Sequence, residues 1–183
     1  MTNSAFGKQI QNRNFLSGVA FKFNLTKFPK VDFFSNSARI PELNLELAQQ
    51  ASYLKNIDVP GERLTFGEFT LRFLDDENME IYMAVHNWLK GVGFPETPQQ
   101  FKDQTTDSDG IRDEKGVFSD GSLHILNSNF QNVAIVKFQD LFPVGLTSLE
   151  FDATETDINY FTAEAVMRYT VYNIFDKDGF NRL

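Results

Sequence analysis

Val133–Asp152, VAIVKFQDLFPVGLTSLEFD, is the stretch whose reading decides the fold. It opens with an apolar run, Val133–Val136, and adds Phe138 one residue beyond Lys137. Pro143 follows Phe142; it lacks a backbone donor and pushes the residue before it toward extended geometry. Gly145 comes next, and then Leu149 and Phe151 flank Glu150. The pattern predicts a strand, a short proline-marked connection and the start of a second strand.

Working outward from it, the neighbouring segments are also strand-like. Leu123–Leu126 predicts a short strand, with a loop over Ser128–Asn132. Downstream, Thr154–Asp157 forms a polar turn. Phe161–Phe175 then reads as one long strand with Phe161, Ala163, Ala165, Met167, Tyr169 and Val171 on one side. Residues 176–183 form a polar tail. Upstream, Arg63–Leu74 changes phase at Gly67-Glu68, which predicts a β-bulge. Asp75–Asn78 supplies helix-start chemistry, and Ile81, Val85, Trp88 and Leu89 follow at helical spacing. Gly91 and Gly93 predict left-handed caps, and Pro95 prevents continuation.

The first half alternates cleanly. Val19, Phe21, Phe23 and Leu25 share one face of a strand over Val19–Phe28. Pro29-Lys30 turns the chain, and Val31–Arg39 should pair with the first strand as a hairpin. Leu43, Leu45 and Leu47 then alternate with polar residues, and Tyr53–Val59 resumes the pattern before a turn at Pro60-Gly61. Residues 42–59 thus predict a long hairpin that projects from the body. A leucine row on such a hairpin calls for cover by another chain. Leu43, Leu45, Leu47, Tyr53 and Ile57 are therefore candidate subunit-interface residues.

The totals bound the class. At 183 residues with 42 % hydrophobic content, the chain is long enough for one domain with a real core. Twenty Phe against one Trp favours strands. No Cys is present, so disulfides, thiol nucleophiles and thiolate metal sites are excluded. The net charge of −8 argues against gripping nucleic acid by its phosphates, but not against a surface that DNA slides past. The N-terminus lacks the pattern of a secretory signal, and no window approaches the ~20 apolar residues of a membrane helix. Residues 1–17 read as a flexible N-terminal arm and 96–121 as a long acidic, glycine-bearing loop.

Reactive chemistry is weakly represented. Asp107, Asp109 and Asp113 hint at a calcium loop, but position 5 would be Ile111 and position 12 Phe118, so the pattern fails. His86 and His124 sit on different predicted elements, as ordinary histidines do. Asp75, Asp76 and Glu77 are accounted for by the helix start. No G-x-S-x-G elbow occurs, and Gly91–Gly93 follows a helix where a phosphate loop would precede one. No catalytic residue, cofactor site or metal site is assigned.

Two motifs carry a resemblance. Lys137-Phe138, Leu141-Phe142-Pro143, Leu146, Leu149 and Phe151-Asp152 resemble a pattern of contractile-phage tail-tube proteins. Gly61, Arg63, Phe66, Phe69 and Leu71 before an acidic turn and a Trp-containing helix resemble a second. Together they cover residues 15–95 and 120–176. The resemblance implies a mainly β fold, a two-sheet β-barrel with one flanking α-helix, in a single domain over 1–183. It implies hexameric rings stacked into a tube whose lumen passes double-stranded DNA without sequence-specific binding. Partners would be further copies, tail sheath, baseplate and tape-measure proteins, with no membrane. The product would belong to the virion tail, assembled in the host cytoplasm. A baseplate tube initiator, a tail terminator or the inner tube of a contractile injection system are close variants. A monomeric β-barrel with a Phe-lined ligand cavity is the reading from a different class.

Overall fold

The computed structural model describes residues 20–28, 35–93, 96–105, 114–149 and 160–182, with Leu16, Gly18 and Phe151 as isolated positions. The strands are β1 (Phe21–Leu25), β2 (Ser35–Arg39), β3 (Leu43–Gln50), β4 (Ile57–Phe66), β5 (Phe69–Leu74), β6 (Ser119–Leu126), β7 (Asn132–Leu146), β8 (Thr162–Arg168) and β9 (Val171–Asp176). Two helices, α1 (Glu80–Gly93) and α2 (Pro98–Thr105), lie between β5 and β6. The predicted N-terminal arm falls almost wholly outside the described residues.

Seven strands are joined by hydrogen bonds: six follow the path β1-β6-β7-β8-β5-β2, and β9 pairs with β7 off this path. β7 belongs to two sheets. Its first half lies between β6 and β9, and its second half pairs with β8. The expected barrel does not close: β1 pairs with β6 and β2 with β5, and among the described residues the two ends of the path share no ladder. For the same reason the predicted hairpin between the first two strands does not form. The alternation of the first and the less regular pattern of Val31–Arg39 point to two strands, but not to which strand each one meets.

β7 runs through Pro143 without interruption, where the sequence predicted a connection. The break in pattern falls earlier, at Asp140. Buried positions are Ala134, Ile135, Val136 and Phe138 before it and Leu141 and Pro143 after it. One extra residue of β7 sits between the pairs Gly121↔Phe138 and Ser119↔Leu141, and Asp140 has φ 54°. That is a β-bulge, and it turns the strand from the first sheet into the second. Beyond it β7 has left β6, so Pro143 lies on an edge, where a missing donor is tolerated. The long strand predicted over Phe161–Phe175 divides opposite this bulge, and the Thr170 N–H donates to the Gln139 carbonyl at 3.0 Å.

The sheets pack through complementary sizes. Phe73 faces Ala163, Leu71 faces Ala165 and Phe69 faces Met167 across β5 and β8. All six are fully buried. Phe69 stands 5.1 Å from Phe23 and 4.5 Å from Phe138, ring centre to ring centre, which joins the two sheets. Helix α1 covers this core with Ile81, Val85 and Trp88. The Trp88 indole N–H donates to the Val117 carbonyl at 2.8 Å. The Lys27 ammonium sits 5.3 Å over its ring and donates to the Gly116 carbonyl. Burial pushes the Lys27 pKa down. α1 continues through Gly91, and among the described residues the glycine with left-handed φ is Gly179, so the predicted caps at Gly91 and Gly93 are not used. The stretch expected to be loop, 96–121, holds α2, a 3-10 turn at Glu114–Val117 and the start of β6.

The predicted bulge at Gly67-Glu68 is a handover between sheets. β4 ends at Phe66 in a separate two-stranded sheet with β3, and β5 begins at Phe69 in the main body. Two tyrosines from the β8–β9 junction hold this handover. The Tyr169 hydroxyl donates to the Gly67 carbonyl at 2.9 Å, just past β4. The Tyr172 hydroxyl donates to the Pro41 carbonyl at 3.1 Å, just before β3. Phe66 meets both rings edge-on at 6.1 and 5.8 Å. The Gly67 N–H donates to the Glu42 carbonyl, and Arg168 pairs with Glu68 at 2.6 Å.

Replacing Phe138 by Ala removes the ring at the centre of this contact chain and should cost about 3–5 kcal/mol in denaturant unfolding. Replacing Tyr169 and Tyr172 by Phe should speed amide exchange across residues 43–66 while β7 and α1 keep their protection, since only the tie to the hairpin is lost. Burial raises the Tyr169 pKa from 10.0 to about 12. Its contribution is therefore complete below the unfolded value and lost as pH rises toward the folded one, because the unfolded chain releases the proton first. Denaturant stability should fall through that alkaline window, and fall less steeply in Tyr169→Phe.

Candidate subunit interface

The β3–β4 hairpin is built by alternation on β3 and by one irregularity on β4. Leu43 pairs with Phe66 and Leu45 with Leu64. The next pair is Leu47↔Pro60, so two more residues are spent on β4 than on β3. Pro60-Gly61 thus makes a bulge inside β4, where the sequence predicted a turn that ended the hairpin. Gly61 is required there: a Cβ would stand 2.4 Å from the Glu46 carbonyl oxygen. The hairpin accordingly runs to Phe66 instead of Val59, and its connection is Ala51–Asn56.

Every residue of β3 is exposed. Leu43, Leu45 and Leu47 share one face of the strand, and Leu64 joins them through its pairing with Leu45. Leu47 is 68 % exposed and the others about half. Ile57 pairs with Gln50 and lies on the opposite face. Tyr53 stands at the tip, fully exposed, next to Leu54 at 90 %. Of the five predicted residues, the structure brings the three leucines together and places Tyr53 and Ile57 apart from them. Leu64 and Leu54 were missed. The sequence pattern places Leu64 in the next strand, because Pro60-Gly61 has the composition of a turn, and its register with Leu45 depends on the bulge.

Polar cover over the leucines is thin. Arg63 approaches Glu46 at 3.9 Å, an exposed pair of little energetic weight. An isolated two-stranded hairpin is marginal in water, and full burial of a leucine side chain is worth ~1.5–3 kcal/mol. The leucine row is therefore a surface with much to gain from contact.

The other sites considered have ordinary roles. The Asp76 carboxylate accepts from the Glu80 N–H at 2.8 Å and that of Asp75 from the Tyr82 N–H at 3.3 Å, both at the start of α1. Burial raises the Asp75 pKa. His86 stacks on Tyr82 at 6.4 Å, and His124 contacts the Ser122 hydroxyl at 3.3 Å. Among the described residues no group of three or more His, Cys, Asp and Glu side chains could hold a metal ion. The failed calcium pattern at Asp107, Asp109 and Asp113 lies outside the described residues.

Comparison with known proteins places this architecture. The family model described as phage tail tube protein matches residues 5–175. No curated protein sequence matches the chain. Among solved structures, the tube-terminating cap of the anti-feeding prophage is similar with a TM-score of 0.64 at 14 % identity, over 94 % of this chain and 99 % of that one. A chain of the baseplate of the same prophage gives 0.58 at 12 % identity, over 86 % and 91 %. One from the sheath-tube complex of an extracellular contractile injection system, PVC, gives 0.57 at 13 % identity, over 90 % and 93 %. At these identities the likeness is one of fold. With the family match spanning nearly the whole sequence, the chain belongs to the phage tail tube protein family and is a structural tail-tube or tube-related component, not an enzyme.

Proposed function

We propose that the protein is the repeating subunit of a phage tail tube, assembled as hexameric rings stacked into a hollow cylinder through which double-stranded DNA leaves the particle. One observation carries this reading: the second sheet, β7-β8-β5-β2, has two edges that meet no strand among the described residues. The outer edge of β2 and the β6-side edge of residues 142–146 pair with no described strand. Joined edge to edge, copies would continue the sheet around a ring and leave no unpaired backbone. The inner face of each sheet is already filled by the core, so its polar outer face would line the channel. The detached hairpin, with Leu43, Leu45, Leu47 and Leu64 exposed, would reach the adjoining ring. Tail sheath, baseplate and tape-measure proteins are the remaining partners, in a virion tail assembled in the host cytoplasm. The domain spans the chain, with residues 1–17 as an arm and 176–183 as a tail.

A second reading keeps the fold and moves the position. The similarity to a tube-terminating cap and to a baseplate chain favours a terminator, an initiator or the inner tube of an injection system as the variants. A monomeric ligand-binding barrel gains no support, since Phe23, Phe69 and Phe138 pack on one another where its cavity would lie.

The purified protein should form rings of about 126 kDa, six chains of 21.0 kDa, and tubes on concentration, seen by light scattering and electron microscopy. Leu45→Asp with Leu47→Asp should abolish stacking. Unfolding free energy should stay within about 1 kcal/mol, because both side chains are exposed in the single chain. Monomers at all concentrations and ionic strengths would count against the reading.

A further inference from the structure

The outer face of the second sheet carries a cleft of about 290 Å³ lined by Ser37, Arg39, Thr70, Arg72 and Glu164. We infer that this cleft is a phosphate-binding site, with Arg39 and Arg72 as its cationic groups. Strand register assembles it. Ser37 pairs with Arg72 and Arg39 with Thr70, so all four side chains share one face of the β2–β5 ladder. The two arginines are diagonal neighbours, about 7–8 Å apart at the backbone. Glu164 faces Arg72 from β8.

The charges there are not mutually satisfied. Arg72 donates one hydrogen bond, from Nη2 to the Thr162 hydroxyl at 3.2 Å. Among the described residues no carboxylate lies within ion-pair distance of Arg39 or Arg72, whereas Arg63 and Arg168 each have one. Two guanidinium groups and one carboxylate leave the cleft with an excess of one positive charge, in a chain whose net charge is −8. Guanidinium forks match the oxygens of a phosphate group, and the Ser37 and Thr70 hydroxyls add donors beside them. An acidic chain that repels nucleic acid as a whole would thus hold one local point of attraction for it. The location of this point on the channel wall rests on the tube reading. The cleft itself belongs to a single chain.

The test uses the full chain carrying Leu45→Asp and Leu47→Asp, so that stacking does not interfere, and follows arginine Nε–Hε signals by NMR. Inorganic phosphate, exchanged for chloride at constant ionic strength, should shift the Arg39 and Arg72 signals and spare Arg63 and Arg168. A short DNA duplex forms the second arm. If it shifts the same signals at lower concentration, the site takes backbone phosphates; if only inorganic phosphate does, the site takes free phosphate. Arg39→Gln with Arg72→Gln should weaken duplex binding at least about tenfold at low salt and reduce its log–log salt slope by about 2. Unmoved arginine signals in both arms would overturn the site. The same double substitution is then made in the assembling protein. Loss of tubes in it would show that the cleft is a joint between copies, and would also overturn the site. Absence of tubes from the unsubstituted protein would count against the tube reading and leave the phosphate result standing.

Discussion

A chain of ring contacts runs from the middle of the protein to the base of its hairpin. Phe23 touches Phe69, Phe69 touches Phe138, and Phe138 meets Tyr169 at 5.1 Å and Tyr172 at 5.8 Å. The two tyrosines meet Phe66 and send their hydroxyls to the backbone on either side of the hairpin. Each contact is modest alone, about 0.5–1.5 kcal/mol beyond area burial. Together they tie the two sheets that share β7 to the β3–β4 pair, which shares a ladder with neither. A tyrosine suits the last link, because its ring belongs to the core while its hydroxyl satisfies a carbonyl at the edge.

The place of this junction is set by backbone geometry. Asp140 bulges β7, and the partner strand divides at Tyr169-Thr170 opposite it. A strand that bends sharply cannot keep a straight partner, so β8 and β9 break where β7 turns. The same bend hands β7 from one sheet to the other and frees the edge of residues 142–146. The junction that secures the hairpin and the bend that separates residues 142–146 from β6 are thus one feature. The family's structural role fits a chain whose packing holds the exposed hairpin and the second sheet in fixed relation.

The surfaces themselves differ in character. The hairpin offers leucines with little polar cover, which suits close contact with another protein surface. The outer face of the second sheet is polar, carrying Ser37, Arg39, Thr70, Arg72 and Glu164. The chain's overall negative charge repels phosphate groups, and the two arginines of this face make that charge locally uneven.

Much was legible from the residues alone. Alternation identified the strands around Phe23, Leu45, Leu71 and Ala165, and helical spacing identified the face of Ile81, Val85 and Trp88. The exposed leucine row on a hairpin was visible in the pattern. These are local properties: side-chain period depends on a strand's own backbone, and composition depends on no partner. The structure alone decided which strands pair, that β7 passes through Pro143, that Pro60-Gly61 is a bulge within β4, and that Arg39 and Arg72 share a cleft. Each of these depends on register between residues far apart in sequence, and a period of two is the same for every possible neighbour. The sequence therefore determined which faces are greasy and which are wet, and only tertiary packing decided what each face meets.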